Sequence, residues 1–156
     1  MADTRPTILV VDDDRGERTV IAAVLRDAGF AVVAAAHDQG ARAAMMRKRF
    51  AAAIIALPEG DAVAFQRHAR RRQPGLTALL VIEPGVTRFL DADDGIFLAR
   101  PFEPRRLLSC VFEMVLREDA DRTPHHSHTA ELGIAAARLA CFESQRTAAT
   151  AIGIGG

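Results

Sequence analysis

Tryptophan, tyrosine and asparagine are absent from this chain of 156 residues, and lysine occurs once, at Lys48. Each absence removes a class of function. Without asparagine there is no N-glycosylation acceptor. The lone lysine is followed by Arg49, so there is no GxxxxGK[ST] phosphate loop, and no GxGxxG fingerprint occurs either. Aromatic residues make up only 5%, which argues against a base-stacking platform for single-stranded nucleic acid. No apolar run approaches the ~18 to 20 residues of a membrane span. The first residues, MADTRPTILVV, carry only Arg5 ahead of a short apolar run that ends in Asp12-Asp13-Asp14, unlike a signal peptide. The serines, Ser109, Ser127 and Ser144, stand in no GxSxG or Ser-His-Asp order. The expectation is a chain that is not an enzyme.

What is there describes a globular protein. Hydrophobic residues make up 49% and charged residues 26%, enough to bury a core in one domain with a short appendage. Twenty basic residues balance 20 acidic ones. Zero formal charge argues against a dedicated binder of nucleic acid or anionic membrane, and leaves room only for a local patch. Two cysteines, Cys110 and Cys141, fall in helix-like patterns and read as reduced thiols in the cytoplasm rather than a disulfide framework.

Short apolar runs alternate with helical patterns. Thr7 to Val11 is continuously apolar before Asp12, as expected of a strand buried on both faces. A helix over ~15 to 28 is stopped by Gly29. Phe30 to Ala35 reads as a second strand, and Asp38 as the cap of a helix through about Arg49. Ala51 to Leu57 is a third strand, weakened by its alanines. A turn at Pro58 to Asp61 precedes a helix over ~62 to 72, broken by Pro74-Gly75. Leu76 to Ile82 and Gly95 to Ala99 are the fourth and fifth strands, and a helix follows over ~103 to 117. This order predicts an α/β fold: a flavodoxin-like, doubly wound five-stranded parallel sheet with helices on both faces. The 83–100 connection is too short for more than about two helical turns, so a helix there is expected to be shortened. Residues 1–117 form this domain. Residues 118–129 read as a polar linker, 130–149 as a C-terminal amphipathic helix and 150–156 as a flexible tail. Ligands of such sheets sit outside the carboxyl ends of the strands, which directs attention to Asp12, Asp13, Ala56, Ile82, Glu83 and Arg100.

With ILVVDDD at the first strand end, this alternation of elements and ARPF at 99–102, residues 5–117 resemble the receiver domain of bacterial two-component response regulators. The resemblance implies an acidic pair and a phosphoacceptor aspartate around Mg²⁺, with a Ser or Thr and a Lys holding the phosphoryl group. Hard carboxylate oxygens suit that metal, one carboxylate is the nucleophile, and the cation offsets developing charge. Asp12 and Asp13 match the acidic pair. The phosphoacceptor position falls on Ala56, the Ser/Thr position on Ile82 and the Lys position on Arg100. Alanine has no oxygen to phosphorylate, isoleucine cannot donate a hydrogen bond, and arginine keeps the charge with a different geometry. The chain thus resembles a degenerate receiver, a pseudo-receiver.

Several readings stay open at this level. Asp12 and Asp13 either bind Mg²⁺ weakly or are neutralised by Arg100 across the strand ends, the second being favoured. Glu59 and Glu83 are either solvated turn residues or reach Arg100 and mimic a phosphorylated aspartate. Phe97, at the family's aromatic switch position, is equally well a core residue. His125-His126-Ser127-His128 lacks the convergent ligands of a zinc site. Asp91 to Gly95 resembles the start of a calcium loop with its glycine one position early. The basic run Arg67 to Arg72 reads as a helix end complementing its dipole.

The function expected is a phosphorylation-independent signalling and interaction module, with no cofactor beyond weakly bound Mg²⁺. The expected partner is a histidine kinase or another signalling protein. A homodimer through the C-terminal helix, or through the fifth strand and last receiver helix, is the other expectation. Nucleic acid and membrane are not expected. The alternatives are a phosphorelay receiver phosphorylated on another carboxylate, and a small-ligand or redox sensor using the vacated pocket.

Overall fold

The computed structural model describes residues 5–85 and 95–122, with side chains through Arg117. Those through Ala120 belong to the first of two compact units, Met1–Ala120. The strands are β1 (Thr7–Asp12), β2 (Ala31–Ala35), β3 (Ala52–Ala56), β4 (Thr77–Ile82) and β5 (Ile96–Ala99). The helices are α1 (Arg15–Asp27), α2 (Asp38–Arg47), α3 (Glu59–Arg72) and α4 (Pro104–Arg122). The five strands form one sheet in the order β2-β1-β3-β4-β5, and every pairing is parallel. This is the flavodoxin-like, doubly wound arrangement the alternation predicts.

β1 and β3 are buried along their whole length. β3 tolerates its alanines because it lies between β1 and β4, so central pairing overrides weak strand propensity. One face of the sheet presents Leu9, Val11, Ile55, Leu80 and Ile82 to Ala41 and Met45 of α2 and to Ala62, Phe65 and Ala69 of α3. The residues that alternate with them point to the other layer, where α1 buries Ile21 and Leu25 and α4 buries Leu107, Val111 and Met114. Phe30 meets Phe112 of α4 with ring centroids 5.1 Å apart. Cys110 is buried and forms no disulfide.

Strand ends shift by a residue, α2 ends at Arg47 rather than about Arg49, and three other boundaries differ from expectation. The N-cap of α2 is His37, whose Nδ1 accepts from the Gly40 N–H at 3.1 Å, and Asp38 is the first helical residue. The helix α3 starts at Glu59, directly after Pro58, rather than near 62. Two acids in its first turn, Glu59 and Asp61, favour that earlier start. The helix α4 continues through Arg122 instead of ending at 117, so 118–122 of the expected linker are helical. Glu118, Ala120 and Arg122 are residues that sustain a helix there. Residues 86–94, with the expected shortened helix and the Asp91–Asp94 acids, lie outside the described residues. So do 123–129, the C-terminal helix over 130–149, the 150–156 tail, Cys141 and the His125, His126 and His128 group.

Gly95 leads into β5 with φ +120°, and a Cβ there would meet Gln66 Nε2 at 2.7 Å and the Ala78 carbonyl oxygen at 3.2 Å. The Ala78 carbonyl belongs to the backbone of β4 and cannot retreat cheaply, whereas the Gln66 amide is the far end of a side chain that has to turn away. Gly95→Ala is expected to lower stability in urea denaturation by about 1 to 3 kcal/mol, through a positive φ and a close contact together. An unchanged midpoint would show that the β4–β5 junction relaxes freely.

Candidate functional site

The sheet order reverses direction between β1 and β3, and the crevice above their carboxyl ends is where a doubly wound sheet binds ligands. Asp12 closes β1 and stands opposite Ala56, the last residue of β3, in the parallel register. Ile82 closes β4 opposite Ala99, and its carbonyl oxygen accepts from the Arg100 N–H at 2.9 Å. The Arg100–Pro101 peptide bond is cis. These ends surround a cavity of about 490 Å³. Its apolar wall includes Ala56, Leu57, Val63 and Ile82, and its polar wall Asp13, Glu17, Glu59, Glu83 and Arg100.

Arg100 is the centre of the polar wall. Its Nε lies 3.1 and 3.0 Å from the two carboxylate oxygens of Glu17, and its Nη2 donates to Glu17 Oε1 at 2.7 Å. Its Nη1 donates to Glu83 Oε1 at 2.9 Å. The guanidinium is thus shared by the first turn of α1 and the residue after β4. Burial alone would lower the Arg100 pKa, but the hydrogen bonds and charge of Glu17, with Glu83 adding, push it above its ordinary value.

This corrects the expected pairing of Arg100 with Asp12 and Asp13. Asp13 is exposed, and Arg100 makes its ion pairs with Glu17 and Glu83. Asp12 is fully buried. Its Oδ1 accepts from the Asp14 N–H at 2.8 Å, and its Oδ2 accepts from no donor. The Asp12 carbonyl oxygen accepts from Arg18 Nη1 at 2.7 Å. Burial raises the Asp12 pKa from 3.8 to about 6. The Asp14 N–H opposes that rise, the adjacent Glu17 carboxylate reinforces it, and the Arg100 charge is a smaller opposing influence. Protonated, Asp12 can donate to Glu17; ionised, it is a buried carboxylate against another carboxylate.

The Glu83 side chain reaches Arg100, as one of its two readings holds, whereas Glu59 lines the cavity without an ion pair to it. Phe97 is partly buried and packs against the α2–α3 side of the core. Among the described residues, no three His, Cys, Asp or Glu side chains are grouped so as to hold a metal ion. Asp12 and Asp13 do not converge with a third carboxylate, because Ala56 stands where one would be, and the site does not fit Mg²⁺ well. Glu17 is the functional residue that sequence reasoning missed. The signal was present: Asp14 and Glu17 have the spacing of a capping box, which holds a side chain at the start of a helix. Asp14 does cap α1, accepting from the Glu17 N–H at 2.8 Å, but the Glu17 side chain goes to Arg100 instead of back to Asp14.

No family model matches the sequence. Its fold is nonetheless that of response-regulator receiver domains. A CheY-like receiver domain protein from Methanospirillum hungatei superposes with a TM-score of 0.67 at 22% identity, over 76% of this chain and 99% of that one. The chemotaxis protein CheY4 of Vibrio cholerae gives 0.62 at 24% identity, over 71% of this chain and 99% of its own. NtrX from Brucella abortus gives 0.69 at 21% identity, over 76% of this chain but 28% of NtrX. At these identities the likeness is one of fold.

Two outcomes follow from the site. Between pH 4 and 6 the native state retains the Asp12 proton that the unfolded chain has lost, so Asp12 subtracts progressively from stability as pH rises through that window. Asp12→Asn keeps an acceptor for the Asp14 N–H and gains a donor for Glu17. At pH 8 it is expected to be more stable than the parent by at most about 3 kcal/mol, with the difference shrinking below pH 4. A difference independent of pH would mean that Asp12 does not titrate there. For the ion pairs, Arg100 and Glu17 are each 25% exposed, while Glu83 is 65% exposed. Double-mutant cycles in urea are expected to give about 1 to 1.5 kcal/mol for Arg100–Glu17 and under about 0.5 kcal/mol for Arg100–Glu83. Equal couplings would contradict that ranking.

Proposed function

We propose that this chain is a phosphorylation-independent signalling module, a receiver fold that binds a protein partner without accepting a phosphoryl group. The observation that carries this reading is the pairing of Ala56 with Asp12 at the strand ends, beside an Arg100 already matched by Glu17 and Glu83. An acyl phosphate needs a carboxylate at the end of β3, and Ala56 provides none. A cation that waits for a phosphoryl group must be available to it. Here the guanidinium has two internal carboxylates, and the domain is held in one arrangement without modification.

In this reading the chain is a binding protein rather than an enzyme, acting in two-component signalling with a histidine kinase or another signalling protein. The presented surface lies around Phe97, Arg100 and the first part of α4. Phe112 and Leu116 of α4 are exposed and supply apolar area for a partner or a second copy. A second reading, a small-ligand sensor, has the 490 Å³ cavity with its partly apolar wall in its favour.

The test is intact mass spectrometry after incubation with acetyl phosphate and Mg²⁺, with Ala56→Asp alongside the parent. The parent is expected to gain no phosphoryl group. A phosphoryl adduct on the parent, mapped to Asp13 or another carboxylate, would replace this reading with that of a phosphorelay receiver.

A further inference from the structure

The chain carries no formal net charge, yet its bases are not evenly spread. Arg47 ends α2, Lys48 and Arg49 follow it, and Arg70, Arg71 and Arg72 end α3. All six are exposed. The two triplets are 20 or more residues apart in sequence, and Gln73 fastens them together. Its buried side chain donates from Nε2 to the Lys48 carbonyl oxygen at 2.9 Å and to that of Met45 at 3.4 Å. Its Oε1 accepts from the Phe50 N–H at 3.0 Å. One glutamine therefore satisfies the backbone leaving α2 while it directly follows the basic end of α3. Farther along the same pair of helices, Arg42 Nη1 lies 3.4 Å from His68 Nδ1.

Helix-dipole complementation accounts for a basic residue or two in each last turn. It does not account for Arg49, which lies beyond the Lys48 cap of α2, or for a side chain spent on joining the two triplets. The acids of these helices, Asp38, Glu59 and Asp61, lie in their first turns, at the opposite end. The positive field is felt locally: the His68 imidazole is held below its ordinary pKa by burial, then by the charges of Arg42 and Arg72, with Asp38 opposing and Arg71 adding less.

We infer that the joined ends of α2 and α3 form a docking surface for an acidic segment of a protein partner, a run of Asp and Glu side chains. Five of the six cations are arginines, whose planar forks match carboxylates two hydrogen bonds at a time. An extended nucleic acid fits less well. The chain as a whole offers it no net attraction, and the nearby aromatic, Phe50, is buried and cannot stack on a base. A lipid surface fits less well too, since Met46 is the one large exposed apolar side chain on α2 or α3. This surface lies at the end of the sheet where the strands begin, away from the cavity, and does not depend on the reading given to Ala56 and Arg100.

The experiment is fluorescence anisotropy of a labelled oligoglutamate peptide titrated with the full chain at about 0.05 M and about 0.5 M salt. Saturable binding at low salt, lost at high salt, is expected. Arg71→Glu/Arg72→Glu and Lys48→Glu/Arg49→Glu should each weaken it by about tenfold or more, since both triplets contribute. Arg26→Glu/Arg105→Glu, the same change of net charge on α1 and α4, should leave it within about twofold. The inference fails if the parent shows no salt-sensitive binding, if the α1–α4 control weakens it equally, or if only one triplet matters. It also fails if a DNA duplex or phosphatidylserine vesicles bind more tightly than the peptide.

Discussion

The Arg100 guanidinium stays charged at any pH a protein tolerates, and it sits a quarter exposed at the mouth of a cavity. Such a cation has to be matched. Glu17 from the first turn of α1 and Glu83 from the end of β4 match it, and the bond to Glu17 spans 83 residues of sequence. Two strand ends and a helix are tied at one point. The ends of β4 and β5 and the start of α1 are therefore positioned by an internal ion network.

The same substitution of partners explains the rest of the site. Ala56 and Ile82 give the cavity an apolar side, and neither can hold a phosphoryl oxygen or a metal. Asp12 remains, sealed from solvent with one oxygen bonded to the Asp14 N–H and the other without a donor. Its cost is a buried carboxylate beside Glu17, whose own charge is committed to Arg100. The Asp14 N–H bond keeps the loop between β1 and α1 closed, and the Arg18 bond to the Asp12 carbonyl closes it from the helix side. Asp12 thus serves the geometry of the turn while Glu17 supplies the counter-charge.

The sheet was legible because its signals are local: continuous apolar runs for buried strands, 3.6-residue periodicity between them, and acids at a strand end. The positions of Ala56, Ile82 and Arg100 followed from strand ends alone. The partners of Arg100 were less legible. Asp12 and Asp13 adjoin it in any alignment of strand ends, but β1 directs Asp12 into the core and leaves Asp13 in solvent, which depends on side-chain direction rather than sequence distance. Glu17 lies a helical turn into α1, and its reach to Arg100 requires the orientation of that helix over the sheet. The α2 cap was misread for a related reason. His37 and Asp38 are adjacent candidates, and the backbone at His37, extended at φ −153° and ψ 165°, decides which one caps.

The two carboxylates on Arg100 are unequal, and that inequality determines which part of the site can change. Glu17 is sheltered, is engaged through two guanidinium nitrogens and belongs to a helix whose Ile21 and Leu25 are buried in the core. Glu83 is 65% exposed, is engaged through one nitrogen and is followed by Pro84 and Gly85, both exposed. Salt and water compete with the second pair far more than with the first. Arg100 therefore stays with α1 whenever the network loosens, and the end of β4 is the part released. A partner that bears on the β4–β5 end of the sheet can exploit that release without breaking the core, whereas one that bears on α1 has to work against both the ion pair and the apolar layer beneath it.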